Sequence, residues 1–262
     1  AHAEITAIRK ASKVIGDWRL EGCTMYVTLE PCSHYGKTPP CAKLIVDTGI
    51  PRVVTGAPDP NPMVAGKGIR MLRENGIEVT EGVLLKECLD INRRFMTAQT
   101  NPRPWIQLKW AQSADGFMAS ADENGNPKPV KLSSPLSLVW MHRERAMAEA
   151  IMVGCNTQKT DHPRLDVRFW SGKNPERVEC LHNTDCRELV ENLRKKGITS
   201  LMVEGGPKLL SSFIESGLYD EIRVETAPVA ISCGLRAPLL PEGLGIAGTE
   251  ICRKNIINVF RR

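Results

Sequence analysis

Thr24-Met25-Tyr26-Val27-Thr28-Leu29-Glu30-Pro31-Cys32 decides how the first part of the chain folds. β-Branched and apolar residues run on to Leu29 and stop at Glu30-Pro31, which predicts a buried strand with an abrupt end. A polar loop from Ser33 to Pro40 follows, and a helix is expected after Pro40, carrying Leu44, Ile45 and Val46 and ending at Gly49. Upstream, Ile5, Ile8, Val14 and Ile15 recur at helical spacing with Arg9, Lys10 and Lys13 on the other face, so residues 2–14 read as a helix. Downstream, 52–56 reads as a strand, 69–75 as a helix stopped by Gly76, and 77–79 as a further strand. Strands alternating with helices predict a largely parallel sheet covered on both faces.

A helix is expected to close this half near Phe95, and the polar, proline-bracketed run from Thr97 to Pro104 reads as a linker. The expected domains are therefore residues 1–98 and 104–262. In the second, strands at 105–110, 150–153, 200–203 and 221–226 alternate with helices at 137–148, 186–196 and 207–216. The runs 122–131 and 170–174 read as loops. The fold class is α/β, two domains in series.

With 262 residues the chain has room for two such domains, and 42% apolar with 25% charged residues sets aside intrinsic disorder. It contains no uninterrupted apolar stretch long enough to span a membrane. The net charge of +5 comes from 35 basic residues interleaved with 30 acidic ones, which suits a small phosphorylated molecule at least as well as nucleic acid. Nine cysteines, an odd number scattered over a long chain with no signal peptide in view, read as a reduced, cytoplasmic set. Metal ligation is expected rather than a disulfide framework. The sequence opens at Ala1-His2-Ala3-Glu4 with a helical pattern already running, which suggests a start inside a domain.

His2-x-Glu4, Pro31-Cys32 and Cys41 supply each part that a hydrolytic zinc site requires. Three protein ligands leave the fourth tetrahedral position for water, and a carboxylate that does not bind metal moves the proton. His2 and Glu4 sit two apart at a helix start, so the imidazole can reach a metal while the carboxylate points at its water. Cys32 and Cys41 lie at a strand end and a helix start, where peptide dipoles favour thiolates. A structural zinc would call for a fourth ligand, and none stands near these three. His34 remains a competitor as ligand, although its polar loop favours a substrate contact.

The run Glu30-Pro31-Cys32-Ser33-His34-Tyr35-Gly36-Lys37-Thr38-Pro39-Pro40-Cys41, followed by Asp59-Pro60-Asn61-Pro62 and Gly66-Lys67-Gly68-Ile69, resembles the bifunctional pyrimidine deaminase/reductases of riboflavin biosynthesis. The resemblance continues through Gln107–Gly116, Ile151–Thr157, Asp161–Arg168 and Val203-Glu204-Gly205-Gly206-Pro207. It implies a cytidine-deaminase-like α/β/α domain followed by a dihydrofolate-reductase-like α/β domain. Zinc would be held by His2, Cys32 and Cys41, with Glu4 as proton shuttle and His34, Lys37 and Thr38 in a substrate-contacting loop. NADPH would meet Ala111, Thr157, Asp161, Gly206, Pro207, Lys208 and Leu209. Substrate would meet Arg145, Leu165, Arg168 and Glu204. The implied reactions are hydrolytic deamination of a diamino-ribosylamino-pyrimidinone 5′-phosphate and NADPH-dependent reduction of its ribosyl group to ribityl, by an enzyme expected to be a homo-oligomer.

The residues of the second half fit this without proving it. Strand–Glu204-Gly205-Gly206-Pro207–helix offers free N–H groups to a phosphate, and glycines allow close approach. No G-x-G-x-x-G follows an expected strand and opens an expected helix, which argues against the usual Rossmann mode. Two arginines facing one ligand suit a ribose 5-phosphate. Compared with the family, residues preceding His2 and a segment after about residue 178 are expected to be missing, and Lys131 stands near the place of a family Trp. Two rivals stay open: a nucleic-acid-editing deaminase, disfavoured by 5% aromatics and the long cysteine spacing, and a protein in which one half serves as a scaffold.

Overall fold

The computed structural model describes residues 2–35, 39–61, 64–180 and 185–262, the side chains of Thr160, Asp161 and Cys180 excepted. The chain divides into two compact units, Ala1–Asn101 and Pro102–Arg262.

In the first unit α1 (Ala3–Ile15), β1 (Thr24–Leu29), α2 (Cys41–Asp47), β2 (Arg52–Ala57), α3 (Lys67–Glu74) and β3 (Glu78–Thr80) alternate, followed by α4 (Leu85–Ile91) and α5 (Arg93–Thr100). The strands pair in parallel in the order β1-β2-β3, with Thr24 opposite Arg52 and Arg52 opposite Glu78. Ile8, Met25, Ile45, Val53 and Leu72 pack one core from α1, both longer strands, α2 and α3. Two expectations need correction. The single closing helix is two, broken at Asn92, and the expected linker is helical as far as Thr100, because α5 continues through it.

The end of β1 is held from behind by a buried carboxylate. Glu30 accepts hydrogen bonds from the backbone N–H groups of Gly66 (2.9 Å), Gly68 (3.0 Å) and Ile69 (3.4 Å) at the start of α3. Gly68 must be glycine for a steric reason: a Cβ there would lie 1.9 Å from the carbonyl oxygen of Pro31.

The second unit is built on seven strands in the order β12-β13-β10-β4-β9-β7-β8. These are β4 (Trp105–Ser113), β7 (Ala150–Gly154), β8 (Glu176–Cys180), β9 (Ser200–Glu204), β10 (Glu221–Ala227), β12 (Ile246–Cys252) and β13 (Asn255–Arg261). Pairing is parallel from β10 to β8 and antiparallel at β10/β13 and β13/β12. A smaller antiparallel sheet joins β5 (Phe117–Ala121) to β6 (Pro127–Pro129) and β11 (Gly234–Arg236). The run 122–131 is thus not wholly loop, since β6 lies inside it.

Helices α6 (Pro135–Ala146), α7 (Cys155–Asp161), α8 (Cys186–Lys195) and α9 (Pro207–Glu215) complete this unit. One sheet face is apolar: Ile106, Leu108, Met152, Leu201, Val203 and Ile222 meet Val190 and Leu193 of α8 and Leu210 and Phe213 of α9. The α6 face is polar, because the buried residues of that helix are Ser137, His142, Glu144 and Arg145. Gln107 donates to both Glu144 (3.1 Å) and Glu221 (2.8 Å), and Ser137 donates to Glu225 (2.5 Å). Ser134 caps α6 and Pro135 follows at its first position, so the helix starts two residues before the expected Ser137. Among the described residues no helix is long and apolar enough to cross a membrane.

Replacing Gly68 by Ala should cost about 1–3 kcal/mol, the usual range for overpacking a tight site. Urea unfolding should show a lower midpoint for the first unit with an unchanged slope.

Candidate functional site

Local structure places the expected metal ligands. His2 is the N-cap of α1, Glu4 lies in that helix's first turn, and Cys41 is the first residue of α2. Cys32 follows β1, fixed by the Glu30 corner. Ile5 of α1 packs with Cys32, Cys41 and Val64, which sets the helix start over the two cysteines. The three ligand atoms come together: Nδ1 of His2 is 3.3 Å from Sγ of Cys41 and 3.6 Å from Sγ of Cys32, and all three lie within 4.8 Å of one another.

This spacing fits a tetrahedral zinc. Bond lengths of about 2.0 Å to nitrogen and about 2.3 Å to sulfur put N and S about 3.5 Å apart. Burial, then the charge of the nearby Glu4, then Cys32 drives the Cys41 thiol well above its ordinary pKa. A dication held by these residues would favour the thiolate instead. The backbone N–H of Cys41 donates to Sγ of Cys32 (3.3 Å), an orphan donor of the helix start supporting a thiolate. Every cysteine whose side chain is described is free.

His34 stands apart from the cluster, its Nδ1 buried without a hydrogen-bond partner among the described residues. Near it Asp59 is buried, and burial raises its carboxyl pKa against the opposing N–H of Asn61 (2.8 Å). Lys37 and Thr38 lie outside the described residues.

In the second unit the expected residues gather at the carboxyl ends of parallel strands, where an open α/β sheet binds ligands. Gly206 caps α9 with no side-chain cap, and Pro207 occupies its first position. The N–H groups of Lys208 and Leu209 therefore lack helical acceptors. A Cβ on Gly206 would stand 3.7 Å from Oγ1 of Thr157, and one on Gly205 would meet Leu209 at 2.9 Å. Gly205 thus makes room for Leu209, and Gly206 leaves the free N–H groups of the first turn of α9 without a side chain of its own over them, as a dinucleotide phosphate requires. Ala111, half-buried, lies near the end of β4; Asp161 ends α7, its side chain outside the description.

Arg145, buried, and Glu204, largely buried, form a bidentate pair, both contacts at 2.7 Å, and Nη1 of Arg145 donates to the carbonyl of Asp166 (3.2 Å). Burial acts to raise the Glu204 carboxyl, but the Arg145 hydrogen bonds and charge outweigh it and hold the group below its ordinary range. Arg145 thus directs its donors into the protein, and the two arginines do not face one open ligand position as the sequence suggested. Arg168 is the accessible one, 40% exposed and held by Asp166 at 2.5 Å. Leu165 is buried at a positive φ of 49° and packs with Ile151, Val153 and Met202, so here it shapes the turn from below.

Sequence reading missed Lys109. Its register partner on β9 is Glu204, whose carboxylate its charge helps stabilise, and its ammonium contacts Sδ of Met141 (3.6 Å). A lone cation between buried residues of a strand was the available signal.

A family model described as the cytidine and deoxycytidylate deaminase zinc-binding region matches residues 1–57. One described as the RibD C-terminal domain matches residues 104–183 and 173–253. The riboflavin biosynthesis protein RibD of Aquifex aeolicus is 37% identical over 278 residues, covering 89% of this chain and 76% of that protein. The Escherichia coli protein of the same name is 31% identical over 300 residues, covering 93% and 79%. The crystal structure of a diaminohydroxyphosphoribosylaminopyrimidine deaminase/5-amino-6-(5-phosphoribosylamino)uracil reductase from Thermotoga maritima superposes with a TM-score of 0.87 at 31% identity, covering all of this chain and 85% of that one.

Metal analysis should find one zinc per chain, and Cys41→Ser should lower the occupancy. Because the Cys41 pKa is raised, the metal-free thiol is protonated at neutral pH, so zinc uptake should release protons and weaken as pH falls. Calorimetry in buffers of different ionisation enthalpy measures that release.

Proposed function

Because the chain belongs to the RibD family, the bifunctional deaminase/reductases of riboflavin biosynthesis, we propose that its two units carry out the two reactions in turn. The first hydrolyses the exocyclic amine of 2,5-diamino-6-ribosylamino-4(3H)-pyrimidinone 5′-phosphate. The second reduces the ribosyl side chain of 5-amino-6-(5-phosphoribosylamino)uracil to ribityl. The observation that carries this reading is the convergence of His2, Cys32 and Cys41 beside a carboxylate that is not a ligand.

In this reading His2, Cys32 and Cys41 hold the zinc. Zinc bound there supplies the acidity that brings a water to a pKa of about 7. Glu4, in the first turn of α1, accepts the water's proton and returns it to the ring nitrogen and then to the departing ammonia. The buried Nδ1 of His34 is available to a polar edge of the pyrimidine, and Lys37 and Thr38 are assigned to the same end of the substrate.

In the reductase half, Thr157, Gly206 and the first turn of α9 hold the cofactor phosphates, with Ala111 and Asp161 at the edges. NADPH supplies the hydride. The Arg145–Glu204 pair fixes the strand end, Lys109 offers a cation beside it, and Arg168 takes the substrate's 5′-phosphate in exchange for the Asp166 carboxylate. An ordinary cytoplasmic enzyme suits the free cysteines, and homo-oligomerisation would cover apolar side chains such as Met147, Ile246 and Ile251, each more than half exposed.

Glu4→Gln should retain zinc while lowering deamination about 100-fold or more, with NADPH-dependent reduction of the deaminated intermediate nearly unchanged. Loss of both activities together would sink the two-site reading. Arg168→Ala should weaken use of the phosphorylated intermediate roughly tenfold, and Arg168→Lys should recover part of that loss. NADPH affinity should not move, and the dephosphorylated intermediate should be used equally by variant and wild type; equal losses on both substrates would overturn the phosphate assignment.

A further inference from the structure

The turn that carries Arg168 is anchored to α6 at two places and tied to itself between them. Arg145 donates to the Asp166 carbonyl, the backbone N–H of Val167 is satisfied by Oδ1 of Asn174 (2.9 Å), and Gly172 lies so close to Ala146 that a Cβ would meet its methyl at 2.7 Å. Between these anchors Phe169 comes down on His142. The two ring centroids are 4.8 Å apart at an interplanar angle of 73°, an edge-to-face arrangement. On the Phe169 ring stands the Arg168 guanidinium, its Cζ 4.8 Å from the centroid.

His142 is fully buried, and neither of its ring nitrogens has a hydrogen-bond partner among the described residues. An apolar side chain of similar size would avoid the cost of burying two unpaired polar atoms. Structural stability therefore gives no reason for a polar ring here, whereas the stacked order His142–Phe169–Arg168 gives a place to an aromatic one. The charged groups around it are Arg145 on its own helix, Arg168 and Asp166 on the turn, and Glu204 on β9. Burial first, then Arg145 and Arg168, lower its pKa, so the ring is neutral and does not repel the arginine stacked above it.

We propose that His142 is a positioning residue of the reductase site: its buried ring seats Phe169, and Phe169 in turn orients the Arg168 guanidinium toward the substrate's 5′-phosphate. Phe169 is about half exposed and the guanidinium of Arg168 lies near solvent; once phosphate takes the place of the Asp166 carboxylate, the ring beneath is the contact that limits the arginine's rotamers. The seat confines it to one side of the turn. The inference rests on the reading that Arg168 binds the phosphate.

The test uses the zinc-loaded full chain, with steady-state reduction of the phosphorylated and dephosphorylated intermediates. His142→Leu, which removes the aromatic seat and the unpaired nitrogens together, should leave the melting temperature unchanged or higher. It should raise KM for the phosphorylated intermediate roughly three- to fivefold at nearly constant kcat. KM for NADPH and for the dephosphorylated intermediate should stay at the wild-type value. Phe169→Ala, a change at a half-exposed position, should reproduce the same KM pattern, and His142→Phe should restore KM because it rebuilds the ring contact. A structural role alone would lower stability and raise both substrate KM values together. The proposal is overturned if Phe169→Ala leaves KM for the phosphorylated intermediate unchanged, or if His142→Leu and Phe169→Ala raise KM equally on both substrates. Arg168→Ala separates the two levels: no phosphate-specific loss in that variant removes the underlying reading, whereas a loss there with none in Phe169→Ala removes only the inference about His142.

Discussion

A carboxylate buried at the carboxyl end of a parallel strand must find donors or be neutralised, and each unit meets that requirement in a way that fixes its site. Glu30, just beyond β1, draws three backbone N–H groups from the start of α3. That pulls the α3 loop against Pro31 and leaves Cys32 aimed at Cys41 and His2. Glu204, at the end of β9, draws the guanidinium of Arg145 instead. The pair clamps α6 onto the sheet, and the same arginine holds the turn that follows Leu165. Val64 in the first loop and Leu165 in the second add apolar anchors, but each carboxylate fixes the direction in which its loop leaves the strand end.

The sheet face under α6 extends the theme. Gln107 of β4 donates to Glu144 of α6 and Glu221 of β10, Arg223 of β10 pairs with Glu221 at 3.5 Å and reaches Glu250 of β12 at 2.6 Å, and Arg261 of β13 reaches Glu221 at 2.9 Å, a network across five elements. Such a network contributes less net stability than apolar packing would, but it tolerates only one register. An apolar α6 could slide by a turn along the sheet. A helix whose inward groups are Ser137, His142, Glu144 and Arg145 cannot do so without leaving charges unpaired.

Local patterns were legible in the sequence and long-range ones were not. Strand β1, the helix start at Cys41 and the alternation through β2 and α3 follow from runs of a few residues, and the cysteine spacing gave the zinc cluster that the geometry assembles. The smaller sheet escaped because β6 is three exposed residues with a proline at each end, a pattern that reads as loop until β5 pairs with it. The β12–β13 hairpin escaped because β12 is mostly exposed and holds Gly248 at an irregular register. His142 was invisible for the opposite reason: on α6 the polar residues face inward, so periodicity assigns them to solvent. That Arg145 turns into the protein, leaving Arg168 as the accessible arginine, depends on Glu204 and Asp166, distant in sequence and adjacent only after folding.

The order of strands has a consequence for the nascent chain. The three paired strands described in the first unit are contiguous in sequence, so β1, β2 and β3 can associate as soon as residues up to Thr80 have left the ribosome. Strand β4 sits between β9 and β10, and it finds no neighbour until residues 200–227 have been made. During synthesis the cysteine pair can therefore be folded and metal-loaded while Trp105, Ile106 and Leu108 wait uncovered. That interval is when an apolar strand with two open edges is most exposed to mispairing, and slow translation across α8 would lengthen it.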